Sequence, residues 1–116
     1  MKLHPDLETL LELQDLRALS RDIAAPGAAP AMGAADAERV ARLTARIAER
    51  ERRLSPWVRS AYERLSRRDE RFVAPVLNGV CHGCFVQVPT SRGRDTDRYA
   101  ELRTCESCGR FLYYAD

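Results

Sequence analysis

Cys81-His82-Gly83-Cys84 and, twenty residues on, Cys105-Glu106-Ser107-Cys108 decide how the rest of this 116-residue chain is read, and they hold all four of its cysteines. Two intervening residues let one tight turn aim both sulfurs at a common point. Two such turns supply the four corners of a tetrahedron, the pattern of a structural zinc site. Gly83 lies inside the first pair and Gly109 directly follows the second. A backbone folding round a metal calls for positive φ at such places, which glycine supplies without strain. On this reading Cys81, Cys84, Cys105 and Cys108 hold one structural Zn²⁺ and leave no coordination position for chemistry. Two disulfides would need an oxidising compartment, and a redox dithiol belongs to a βαβ unit for which the sequence has no pattern. Iron held by four thiolates is the remaining chemical alternative.

The chain has room for one domain or two very small ones, and alanines inflate its 45% hydrophobic content. The segment from residue 72 to 116 is near the size at which a hydrophobic core alone holds a fold. A structural ion, with an apparent binding free energy on the order of 10–16 kcal/mol, would supply much of that stability. The formal net charge is +2. Four thiolates and one divalent ion together add −2, so the loaded protein is close to neutral and has no overwhelming attraction for phosphate. The N-terminus meets Asp6, Glu8 and Glu12 before any uninterrupted apolar run, which excludes a secretory signal and a membrane-spanning helix there. With metal-type cysteine usage, this places the protein in the cytoplasm and off the membrane.

Two segments are expected: a helical part over 1–71 and the cysteine-bearing part over 72–116. Leucines from 7 to 19 recur every third residue between Pro5 and Pro26-Gly27, which predicts a helix over about 5–24. Such a row drifts around the helix. Leu3, Leu7, Leu10 and Leu11 are expected on one side and Leu13, Leu16, Leu19 and Ile23 on the other. A second helix hides only one side, so the second group is a candidate face for a protein partner or for a homodimer. The Ala/Pro/Gly stretch 24–35 reverses the chain. Asp36 is a candidate N-cap for a helix over about 36–54. Val40, Leu43, Ile47, Arg50, Leu54, Trp57 and Ala61 then keep a 3-4 spacing, a coiled-coil seam that places Trp57 in the core. Ser55 capping a fresh helix over about 56–71 that begins at Pro56 is the cheaper arrangement, with a kink in one long helix as the alternative.

Beyond Arg71 the pattern changes to short extended pieces: 72–77, a turn at Asn78-Gly79, then 85–88, a strand near 101–103 and another at 110–114. The expected fold is α+β, an antiparallel helical hairpin followed by a small zinc ribbon of antiparallel strands.

The residues Ser55-Pro56-Trp57, Val76-Leu77-Asn78-Gly79-Val80-Cys81-His82-Gly83-Cys84, Val88-Pro89 and Cys105-Glu106-Ser107-Cys108-Gly109-Arg110-Phe111 resemble the bacterial C4-type zinc-ribbon family with an N-terminal coiled coil. Leu13-Gln14-Asp15 is similar to the family's leucine-glutamine opening. The resemblance implies a non-enzymatic protein that binds partners in transcription, such as a sigma factor, or in secretion, and one family member is described as binding a messenger RNA. The family's coil is much longer than this one, and only the zinc role of the four cysteines carries over by position. A looser similarity links the chain to the DksA-like regulators of RNA polymerase.

No nucleophile is left free and no glycine-rich phosphate loop is present, so an enzyme is not expected. His82, between two ligands, is expected to face solvent. A second functional reading is contact with RNA or DNA through Arg92, Arg94, Arg98, Arg103 and Arg110, with Tyr99, Phe111, Tyr113 and Tyr114 as stacking rings. Against it, Asp95, Asp97, Glu101 and Glu106 neutralise much of that charge.

Overall fold

The computed structural model describes residues 4–24, 34–88 and 102–115. The fold is α+β, with three helices and a three-stranded sheet among the described residues. Helix α1 spans Pro5–Ala24, α2 spans Ala34–Arg53 and α3 spans Pro56–Arg68. Strands β1 (Val73–Leu77), β2 (Val80–Cys81) and β3 (Phe111–Tyr114) lie in the order β2-β1-β3.

Proline sets two helix starts. Pro5 opens α1, where its missing N–H would have no partner in any case. Pro56 opens α3 after Ser55, so the chain begins a new helix there. The Ser55 hydroxyl does not cap that helix. It donates instead to Asp6 Oδ2 at 2.7 Å, tying the start of α3 to the start of α1. Helix α3 stops at Arg68 because Asp69 is extended (φ −148°, ψ 145°) and its carboxylate accepts the Arg71 N–H at 3.0 Å. Helix α2 begins at Ala34, which puts Asp36 in its first turn and not at its cap.

The break at Ser55 resets the helical phase, and Trp57 is 56% exposed, contrary to its expected place in the core. Helix α3 turns Val58, Ala61, Tyr62 and Leu65 inward instead. These meet Leu7, Leu10 and Leu13 of α1, Leu54, and Phe72, Val73 and Phe111 from the sheet in one hydrophobic cluster. Leu13 is fully buried, which corrects its assignment to an open face. The reason is that α3 and the sheet both pack on the inner half of α1, so the covered arc is wide enough to take Leu7, Leu10 and Leu13 together. Gln14 seals the junction. Its Oε1 accepts the N–H groups of both Phe72 and Val73 at 3.0 Å, satisfying backbone donors where β1 begins.

The outer half of α1 has less cover. Glu12 meets Arg50 of α2 at 2.6 Å, while Leu19 and Ile23 line a groove with Leu43. Leu16 and Ile23 are half-buried and Leu19 is 49% exposed.

In the sheet, β1 and β2 are antiparallel through Val76–Cys81 and Leu77–Val80. Their two-residue turn has φ of 53° at Asn78 and 74° at Gly79, the paired positive values that a tight hairpin turn needs. Strand β3 runs parallel to β1, from Val73–Phe111 to Val76–Tyr114, and not antiparallel as expected. Each cysteine turn makes its own local antiparallel bridge, Val80 with Gln87 and Thr104 with Phe111. The second turn therefore hands the chain to β3 in the direction of β1. The expected strand near 101–103 is reduced to that bridge at Thr104 among the described residues.

Candidate metal centre

Both cysteine turns use one backbone scheme. The Cys81 N–H donates to Val86 O and the Cys105 N–H to Arg110 O, five residues ahead in each case. The first cysteine's carbonyl in turn accepts from the residue four ahead, Phe85 at 2.7 Å and Gly109 at 2.8 Å. That fourth residue closes the turn with a positive φ, 62° at Phe85 and 80° at Gly109. The expectation holds for Gly109 and fails for Gly83, whose φ is not positive. Gly83 is needed for space: an added Cβ would lie 2.8 Å from Arg110 Cδ and 3.1 Å from Ala74 Cβ. The Gly83 N–H also points at Cys81 Sγ, 3.4 Å away.

The turns bring all four sulfurs within 4.8 Å of one another. Across the turns, Cys81 Sγ lies 3.9 Å from Cys108 Sγ and Cys84 Sγ lies 3.7 Å from Cys105 Sγ. A disulfide requires about 2.05 Å, and the four cysteines are free. A tetrahedral ion with metal–sulfur bonds of about 2.3 Å separates its sulfurs by about 3.8 Å. The two cross-turn separations match that value, and the donor set is compatible with a tetrahedral metal ion. Cys81 and Cys105 are buried in a second apolar cluster with Ala74, Val76, Val88, Leu112 and Tyr114, and the half-buried Cys84 and Cys108 pack against it.

No protein-family model matches the chain, and no curated protein sequence does. Among solved structures the chain is similar to CT398 from Chlamydia trachomatis, with 29% identity, a TM-score of 0.57 and 68% of this chain covered. The two share a fold. The chain spans 34% of that protein, about a third of its length.

The surroundings treat the thiols unequally. Burial pushes Cys81 up to about 12 and raises Cys105 as well. Burial also opposes ionisation of Cys108, but hydrogen bonds from the Arg110 backbone and side chain outweigh it and bring that thiol down to about 7. Arg110 links the centre to the helices. Its guanidinium engages Cys108 and the Asp69 carboxylate, and its Nε donates to Arg71 O at 2.9 Å. Arg68 of α3 donates to Cys108 O at 2.7 Å.

Arg110 is thus part of the frame of the centre, its side chain 16% exposed. Arg103 is half-buried. Arg92, Arg94, Arg98 and Tyr99 lie outside the described residues. His82 is half-buried, edge-on to Phe85 with ring centroids 5.5 Å apart, and its backbone N–H donates to Pro75 O. Sequence reasoning missed Gln14, Arg68 and Asp69. Only Gln14 carried a signal, the leucine-glutamine opening. The φ of Phe85 could have been read from the equal spacing of Phe85 and Gly109 after the first cysteine of each turn.

Proposed function

We propose that this chain is a non-enzymatic adaptor in which a four-thiolate Zn²⁺ site holds a small zinc ribbon, and the ribbon anchors an antiparallel helical hairpin that binds a protein partner. The ion's place in this reading is structural. Four thiolates complete a tetrahedron, so it supplies stability and offers no position to a substrate. The resemblance to C4-type zinc-ribbon proteins supports a partner in transcription or secretion. The observation that carries the adaptor reading is the contrast along α1: Leu7, Leu10 and Leu13 are buried, whereas Leu19 is half exposed beside the Leu43 groove. An apolar helix face left open at one end is the form in which helical modules take a partner.

The test is the double substitution Leu16→Ser and Leu19→Ser. The expected result is a folded monomer in circular dichroism and sedimentation that no longer captures the partner taken by the parent chain from its host. A parent dimer that the substitution splits would assign the face to self-association. Unfolding would make these leucines core, and either result ends the adaptor reading.

A further inference from the structure

We infer that the groove between the outer half of α1 and α2 receives an acidic amphipathic helix of a protein partner. The inference rests on the adaptor reading and names the chemistry of what is bound.

The groove has a volume of about 360 Å³ and is lined by Leu19, Ile23 and Leu43 with Arg39, Arg42 and Arg46. The floor is apolar and the rim cationic. The three arginines follow one face of α2 at spacings of three and four residues, and so rise over about 10 Å, two helical turns. Two other arginines of α2 are answered within the chain. Arg50 meets Glu12 at 2.6 Å, which raises its pKa, and Arg53 meets Glu49 at 2.8 Å. At the groove Arg39 reaches Asp36 at 3.4 Å, while among the described residues Arg42 and Arg46 form no ion pair. In sequence, the stretch 25–33 between the two helices, Ala-Pro-Gly-Ala-Ala-Pro-Ala-Met-Gly, contains no acid.

A helix fits this surface on both counts. Leucine-type side chains at i, i+3 or i+4, and i+7 would cover Leu19, Ile23 and Leu43, and carboxylates flanking that stripe would face Arg42 and Arg46. A second copy of this chain fits poorly. A two-fold interface sets each patch against itself, and here that brings like-charged arginines together. A small anion would meet the guanidinium groups but leave the apolar floor in water.

The experiment uses the full zinc-loaded chain and a fluorescein-labelled 18-residue helix with leucines on one face, glutamates flanking them and alanine elsewhere. Two controls accompany it: a twin with lysine for every glutamate, and a scramble of the same composition. Anisotropy titrations are expected to show the acidic helix binding about tenfold or more tighter than either control, with the preference shrinking as salt is raised. The charge reversal Arg42→Glu with Arg46→Glu, on exposed positions that leave the fold intact, is expected to exchange the preference to the lysine twin. Equal binding of helix and scramble, or no exchange on charge reversal, overturns the inference. So does a dimer in sedimentation that Leu19→Ser dissolves, which would give the groove to a second copy. The two readings fail differently. If a captured partner is lost with Leu16→Ser and Leu19→Ser but kept by the charge-reversed chain, the adaptor reading stands and the acidic-helix inference falls.

Discussion

Phe85 closes the first cysteine turn and Gly109 the second, four residues past the leading cysteine in each, and both adopt positive φ. Glycine does so freely, whereas a bulky residue there costs about 1–2 kcal/mol. The Phe85 ring gives little back, since it is 72% exposed with His82 as its aromatic neighbour. The turns also differ in bracing. The second lies under α3, held by Arg68 and Arg110, and a Cβ added at Gly109 would find ordinary contact with Leu65 and Arg68. The first faces outward and is held by the His82 N–H to Pro75 O and by Gly83 packed on Arg110. The backbone conformation is thus dictated by the demand that two sulfurs converge. The residue occupying it is dictated by what lies beside the turn.

The largest effect should come from removing a sulfur. Cys81→Ser in the first turn and Cys105→Ser in the second are expected to be equally damaging, because each forfeits a site contributing on the order of 10–16 kcal/mol. Dispersed amide signals from the sheet should disappear in both; a sheet surviving one of them would show that the turns are not equal partners. Next is Arg110→Ala, which removes the link between Cys108 and Asp69. Competition with a chromophoric chelator should show metal affinity lower by about 10–100-fold. An unchanged affinity would mean that the bracing of the second turn is irrelevant to the centre.

Gly83→Ala should cost about 1–3 kcal/mol in chemical denaturation, since the new methyl must displace Arg110 or Ala74. The smallest effect has the opposite sign. Phe85→Gly relieves strain in the first turn but adds freedom to the unfolded chain, for a net gain of up to about 1 kcal/mol and a rise in Tm of a few degrees. Gly109→Ala should lose stability by a similar amount. A loss for Phe85→Gly would show that the exposed ring contributes to the fold in a way its contacts do not reveal.

What was legible in the sequence was what short-range chemistry fixes. The spacing of Cys81, Cys84, Cys105 and Cys108 told of converging sulfurs, Asn78-Gly79 told of the hairpin turn, and Pro5 and Pro56 marked two helix starts that the structure keeps. What was not legible depends on partners distant in the chain. Leu13 was assigned by helical phase alone, and its burial follows from α3 and the sheet meeting the same half of α1. Trp57 fell outside the core because the new helix at Pro56 shifted the seam. The parallel register of β3 arises from two local reversals joined through β1, a long-range consequence that no window of residues displays. The ties of Arg110 were not legible because Asp69 and Arg71 stand about forty residues away in sequence.

The direct test of the central claim is elemental analysis of the purified chain combined with chelation followed by far-UV and amide spectroscopy. One zinc per chain is expected, and its removal should dissolve the sheet and be reversed by adding zinc back. A chain that stays folded without metal, or whose cysteines are joined as disulfides, would contradict the account.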